Sequence, residues 1–537
     1  MVDKGDESSA TPAVDRRAFL GAATLGTGAA LAGLGVGLGA AAPAMAATPR
    51  AAAPQVDFPE KPGSFGGGPA GTNIRAEIDL HDCEVEGHLP SDLNGVWYRV
   101  GPDPQYPKPE KYAGDIAFDG EGHVSMFRIQ NGHVDYRTRY ARTQRWKAQQ
   151  EARRSLFGMY RNPMTDDPSV KGLSRGTANT QLFVHHKKLL VFKEDSPPVY
   201  MDPWTLETID DYYTFGDKLK SQTHTAHPKI DSETGEYISF GYEATGLASK
   251  DIFLFSADRN GKVNWAVTVQ APYAGMMHDF AVTQKHIILY LTNMVADMDL
   301  IRAGGVHFSY DSKRPCYLGI MRRGGDGRDL KWFTGENLFC THVMGAWSDG
   351  DKVTVDMDGG EGNQFPFFPS LHEPFNPAKS TGLVRRFTVD LSSRSNDRYQ
   401  TQTLYPQISG ALSRQDDRYH TLRYRYGYMN SFGPGGGSWA MFDHDTGQSQ
   451  LVSVPGYSLS EMTFVPRRKD APEGDGYLIG LGSSQKEAGR SDLILVDTKD
   501  PAAGPIARVK MPFKCVGQVH GFWADASDLP AEKARTA

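Results

Sequence analysis

The chain has 537 residues, a net charge of −6, 39% hydrophobic residues and 23% charged residues. This is the make-up of an ordinary globular enzyme, long enough to bury a large core. The mild acidity gives no reason to expect nucleic acid or an acidic membrane surface as a partner, and 58 glycines with 11% aromatics suit many short strands joined by turns.

Taken from the N-terminus, Arg16-Arg17-Ala18-Phe19-Leu20 precede a mild Ala/Gly-rich run from Gly21 to Ala42, and Ala44-Met45-Ala46 offers a small-residue cleavage site. Residues 1–46 therefore read as a twin-arginine signal peptide. That implies export, periplasmic or extracellular, through the twin-arginine machinery. This route carries folded proteins, so a metal could be loaded in the cytoplasm first. A membrane anchor is the competing reading, but the run is weakly hydrophobic and a cleavage site follows it. Residues 47–70, rich in Ala, Pro and Gly, read as a linker, which leaves residues 71–537 as the main domain. No later segment has the unbroken apolar length of a membrane span. Cys83, Cys316, Cys340 and Cys515 are widely spaced without a C-x-x-C pair, which speaks against a zinc knuckle. Export would permit a disulfide without requiring one.

From Thr72 onward, short apolar runs alternate with turns. Val96-Trp97-Tyr98, Val124 to Ile129, Leu189 to Phe192, Ile287 to Leu291, Val353-Thr354-Val355, Tyr477-Leu478-Ile479 and Leu493 to Val496 have the length and flanking breakers of strands. Arg142 to Met159 is the best helical candidate, with Gln149, Arg153 and Arg154 on its polar face. Strand patterning over roughly 400 residues outgrows a sandwich or simple barrel and suits an all-β propeller, which grows by adding blades. No internal repeat is visible, so the architecture rests on the pattern alone.

Four of the 16 histidines stand in apolar or small-residue settings beside strand-like runs: His227 in Thr-Ala-His-Pro-Lys, His278 in Met-Met-His-Asp-Phe, His342 in Cys-Thr-His-Val-Met, and His520 in Gln-Val-His-Gly-Phe-Trp. Their spacings are 51, 64 and 178 residues. A propeller blade takes roughly 40–50 residues, so the first three fit successive blades and the fourth comes about three blades later. Inner strands converge on the propeller axis, where four imidazoles could hold a metal. His224 competes with His227 for the first position.

Gly95-Val96-Trp97-Tyr98-Arg99 with Gly101-Pro102, Phe118-Asp119-Gly120-Glu121-Gly122, Tyr160-Arg161-Asn162-Pro163, Thr177-Ala178-Asn179-Thr180, Thr225-Ala226-His227-Pro228-Lys229 and Glu461 to Arg467 form an ordered set from about Asn94 to Trp523. In this set the chain resembles the carotenoid cleavage oxygenases, and within them the bacterial lignostilbene and isoeugenol dioxygenases. The resemblance implies a seven-bladed β-propeller with Fe(II) on its axis and a loop and helix cap over one face. It implies His227, His278, His342 and His520 as iron ligands, and Glu194 and Glu461 as carboxylates that orient two of them. Where relatives read Glu-Phe-Pro-Arg before Asp-Asp-Arg, this chain reads Ala411-Leu412-Ser413-Arg414 before Gln415-Asp416-Asp417-Arg418. One ligand then lacks its orienting glutamate, a gap that water or a neighbouring group could fill. On this reading Ala411→Glu should tighten iron binding.

The Lys193-Glu194 pair resembles the members that cleave phenolic stilbenes and phenylpropenes. Their pattern implies that Lys193 and Tyr160 bind the substrate's 4-hydroxyl and take part in catalysis, while Phe118 packs on its ring. A phenol has a pKa of about 10, and a nearby ammonium favours the phenolate. Its charge delocalises onto the conjugated alkene and activates it toward O2. Neighbours on a regular strand face opposite ways, so Lys193 and Glu194 can share a site only where the strand bends or ends. Two other readings stay open: a carotenoid or apocarotenoid cleavage dioxygenase, and a non-catalytic propeller that binds a partner through one face.

Overall fold

The computed structural model describes residues 74–532, apart from Gly114, Ala117, Pro434, Gly435, Ala488 and residues 516–518. The leader and linker read from the sequence lie outside these residues.

Seven antiparallel sheets of four or five strands follow one another along the chain, with one two-stranded ribbon, Met294–Ala296 with Phe308–Tyr310. Each sheet has one edge strand at the hub of a seven-bladed β-propeller. In blade order these hub strands are His520–Asp525, Gln181–His185, Lys229–Ile230, Phe280–Val282, Phe339–Asp349, Gly410–Gln415 and Tyr457–Pro466. The C-terminal strand His520–Asp525 pairs with Gly95–Pro102 and so completes the first blade. Val85–Gly87, from the other end of the chain, pairs with Pro505–Lys510 on the seventh blade. Both ends are thus stitched into the ring, which leaves it no open seam.

The strand-like runs become strands because each sheet is sandwiched between neighbours and buries both faces. His286–Leu291 is buried at every position after its first residue. Outer strands carry the opposite signature. Val263–Gln270 alternates between covered and exposed positions, and Gln400–Leu404 reads Gln-Thr-Gln-Thr-Leu, a polar edge that discourages pairing with another chain. The core is therefore divided among the blade interfaces. One cluster joins Trp97 and Phe127 of the first blade to Val465, Ile479 and Leu493 of the seventh. Another joins Ile288 and Leu318 of the fourth to Val355 and Phe387 of the fifth.

The helical candidate shrinks to Gln144–Ala152. Thr143 caps it by accepting from the Trp146 amide at 3.1 Å, and Arg153, at φ 53°, ends it in the left-handed region. Gln149, read from the sequence as part of a polar face, does not face solvent. It is buried, donates to Glu121 at 2.5 Å and accepts from the Leu156 amide at 3.0 Å. All four cysteines are buried free thiols. No helix among the described residues is long and apolar enough to cross a membrane.

Candidate metal centre and substrate cavity

The four histidines singled out by context meet at the hub. His227 lies two residues before the start of the third blade's hub strand, and His278 two before the start of the fourth blade's. His342 lies within the fifth blade's, and His520 opens the C-terminal strand of the first. Nε2 of His278 stands 3.2 Å from Nε2 of His227 and 3.3 Å from Nε2 of His342. The ring of His520 is centred 4.8 Å from that of His227 and 5.1 Å from that of His342. His227, His278 and His342 present ligand atoms within 4.8 Å of one another.

This arrangement fits a metal ion. Metal–nitrogen bonds of about 2.1 Å at right angles would leave ligand atoms about 3 Å apart, close to the observed spacing. The Nε2 of His520 is buried and has no hydrogen-bond partner among the described residues, a costly state for a polar atom that a metal would relieve. Ligation requires neutral imidazoles. Burial and the neighbouring histidines hold His227 well below the usual imidazole range, and burial takes His520 down to about 4. For His278 burial works the same way, but Glu194 outweighs it and moves the pKa up.

Each Nε2 is aimed by what holds the ring's other nitrogen. Nδ1 of His278 donates to Glu194, and Nδ1 of His520 donates to Glu461 Oε1 at 2.8 Å. Burial alone would push both carboxyls up, yet His278 and His520 hold them below the ordinary carboxylate value. Glu194 is itself fixed by the Tyr242 hydroxyl at 2.5 Å, and Tyr242 by Arg161 at 2.8 Å. His342 is not left without partners by Ala411. Its Nδ1 donates to Thr341 Oγ1 at 3.0 Å and lies 3.4 Å from Asp358 Oδ2. His224 is a satisfied structural residue: Nδ1 donates to Thr225 O at 2.6 Å, and Nε2 accepts from Ser239 at 2.8 Å and faces the Tyr237 hydroxyl at 3.0 Å.

Lys193, Tyr160 and Phe118 line the same cavity as His278, His342 and His520. The conflict over Lys193 and Glu194 resolves at the backbone: the strand Lys188–Phe192 ends just before them, so both can face the cavity. Lys193 is buried, with its Nζ 3.3 Å from Asp119 Oδ1 and 4.8 Å and 5.5 Å from the ring centres of Tyr160 and Phe118. Asp119 also pairs with Arg145 and Lys108. Its burial would raise the carboxyl, but those cations hold it well below the ordinary value. Burial pushes the Tyr160 hydroxyl well above the usual phenol range, so it stays a proton donor. The remaining walls include Phe365, Phe367, Phe368, Met276 and Leu412, with Thr180 as a polar exception.

Sequence reading missed Asp358, Thr341, Tyr242 and the phenylalanine wall. Phe365-Pro366-Phe367-Phe368 is a visible aromatic run, and Asp356 and Asp358 interrupt an apolar strand run, where acids need a reason. Nothing in the local sequence marks Tyr242.

A family model described as retinal pigment epithelial membrane protein matches residues 71–525. The chain is 41% identical over 476 residues to lignostilbene-alpha,beta-dioxygenase isozyme III of Sphingomonas paucimobilis, covering 85% of this chain and 96% of that protein. It is 37% identical over 463 residues to isoeugenol monooxygenase of Pseudomonas putida, covering 84% and 95%. The crystal structure of Pseudomonas brassicacearum lignostilbene dioxygenase superposes with a TM-score of 0.82 at 36% identity, covering 88% of this chain and all of that one.

Proposed function

Because the chain belongs to the carotenoid oxygenase family, described by the retinal pigment epithelial membrane protein model, and is an enzyme of that family, we propose that it is an iron(II) dioxygenase that cleaves the C=C bond of a phenolic stilbene or phenylpropene. The observation that carries this reading is one cavity holding Lys193 and Tyr160 among phenylalanines, with three of the four clustered histidines in its wall. The names of the relatives support it.

His227, His278, His342 and His520 would hold the iron. Iron so held would supply the activation of dioxygen. The other residues act on the substrate. Lys193 has three donor hydrogens. Asp119 engages one, which leaves others for a phenol oxygen beside the Tyr160 and Phe118 rings. The ammonium favours phenolate, and the Tyr160 hydroxyl donates to the same oxygen. Phe118 packs on the ring. Both atoms of O2 end in carbonyl groups, giving two fragments, one of them an aromatic aldehyde. On this reading the helix Gln144–Ala152 and the loops bearing Tyr160 and Phe365 form a cap that excludes water. Export through the twin-arginine route, supported by Arg16-Arg17 and Ala44-Met45-Ala46, belongs to the same proposal.

The test is an aerobic assay of iron-reconstituted protein with a 4-hydroxystilbene, isoeugenol and an apocarotenal, with aldehydes identified by chromatography. Cleavage of either phenol is expected. A clear preference for the apocarotenal would replace this substrate class, and no cleavage of any of the three would favour a binding module.

A further inference from the structure

The resemblance implies an orienting glutamate where this chain has Ala411, and the structure brings a different carboxylate to His342. Asp358 lies on Lys352–Gly360, the strand paired with the hub strand of His342 in the same blade. Its side chain is fully buried. Oδ1 accepts from the Thr341 hydroxyl and from the His342 amide, the latter at 3.2 Å. Oδ2 accepts from the Ser413 amide at 3.0 Å and faces His342 Nδ1 at 3.4 Å.

The proton order along these contacts follows once Nε2 of His342 is assigned to the metal. With Nε2 toward the metal position, the imidazole proton sits on Nδ1 and is donated to Thr341 Oγ1 at 3.0 Å. The hydroxyl then has one hydrogen left and gives it to Asp358. An aspartate, one methylene shorter than a glutamate, thus reaches the ring through a threonine.

The motif that lost the glutamate also makes room for this arrangement. Ser413 stands where the relatives' Glu-Phe-Pro-Arg has proline. Proline has no N–H, so that pattern could not donate to Asp358 as Ser413 does. Leu412, at φ 61°, and a shift of strand register between Ala411 and Arg414 mark the local bulge that carries the Ser413 amide. Ser413 Oγ also donates to the His342 carbonyl at 3.0 Å.

We propose that Asp358, acting through the Thr341 hydroxyl, is the residue that positions His342 for the metal, in the role that the resemblance gives to a glutamate at position 411. This rests on the reading of the four histidines as an iron site. The partner of a metal-bound histidine fixes its tautomer and ring angle and raises its basicity, and its loss typically costs about 10–100-fold in metal affinity or activity.

The test uses the full-length folded chain and reads metal binding, not turnover. Fe(II) affinity is measured by competition with a chelator, and the visible spectrum of the Co(II)-loaded protein reports ligand geometry. Thr341→Val, which removes the hydroxyl but keeps the shape, should weaken Fe(II) binding about tenfold or more and shift the cobalt bands. Thr341→Ser, which restores the hydroxyl, should behave as the native chain. Asp358→Asn, which keeps the shape but loses the charge, should also weaken binding. Thr341→Val and Asp358→Asn variants that fold normally and keep native affinity and native cobalt bands would overturn the proposal. A native chain that binds neither Fe(II) nor Co(II) would overturn the iron reading itself, and this proposal with it.

Discussion

Replacing the substrate's 4-hydroxyl by a 4-methoxyl tests the role of Lys193 directly. The ether keeps the ring and the alkene, so its contacts with Phe118 and the phenylalanine wall survive. It can neither ionise nor donate to a neighbour. One charge-assisted hydrogen bond is worth roughly 1.5–3 kcal/mol, which is about a 10- to 150-fold change in rate. The loss should fall mainly on kcat, because delocalisation of the phenolate charge strengthens toward the transition state. Lys193→Met should shrink the ratio of phenol rate to ether rate toward one. The structure supplies the reason this variant should still fold. Without Lys193, Asp119 keeps Lys108 at 2.8 Å and Arg145 at 3.2 Å, so the buried carboxylate remains neutralised. The assay is aldehyde formation from a matched phenol and ether pair at saturating substrate, for both proteins. Equal rates for phenol and ether in the native enzyme would refute the reasoning, and so would an unchanged ratio in Lys193→Met.

Three further outcomes are expected. The purified protein should carry one iron per chain, and His520→Ala should lower that content, because it removes the orphaned buried nitrogen; elemental analysis decides, and stoichiometric zinc in an active native preparation would contradict it. Burial holds His224 down to about 3, below its unfolded value of about 6.5, so the unfolded chain binds more protons and stability falls as pH drops from about 6.5 toward 3; urea midpoints should follow that window with a shallower slope in His224→Gln, and identical slopes would count against it. Arg16→Lys with Arg17→Lys should retain the protein in the cytoplasm, which fractionation would show; unchanged export of the double variant would rule out the twin-arginine reading.

Much of this architecture was legible because propeller physics leaves a local trace. Sheets buried on both faces demand unbroken runs such as Ile287 to Leu291, and Asp-Gly turns such as Asp349-Gly350-Asp351 separate them. The histidines were legible as a group because spacings of 51, 64 and 178 residues fit hub positions on three successive blades and one three blades on. The helix was over-extended because nothing in the local sequence marks Arg153 as the left-handed residue that ends it, and Gln149 was misplaced because its partner, Glu121, comes from another element. His224 and His227 could not be separated by sequence, since both sit in the same strand approach. Only the hydroxyls of Ser239 and Tyr237, 15 and 13 residues away, show that His224 is already occupied.

The motif around Ala411 shows why a local departure cannot be judged locally. From sequence it is a lost carboxylate, and Ala411→Glu looks like a repair. In the structure a carboxylate is already present, contributed by Asp358, 53 residues earlier. A glutamate added there would bring a second like charge to the same imidazole, which raises the pKa of one of the two acids. Ala411→Glu alone is therefore not expected to tighten metal binding. The rest of the motif keeps a separate task. Arg414 is 3.6 Å from Glu461 Oε1 and donates to the Gly521 carbonyl at 3.0 Å, which steadies the neighbouring histidine, His520. The sixth blade thus still braces the centre through Arg414 and the Ser413 amide. The two glutamates tie together different blades, the second to the fourth and the seventh to the first, whereas Asp358 and His342 belong to one blade. The geometry of His342 then depends on the pairing within the fifth blade and on the Ser413 contact, and less on how the blades close around the axis.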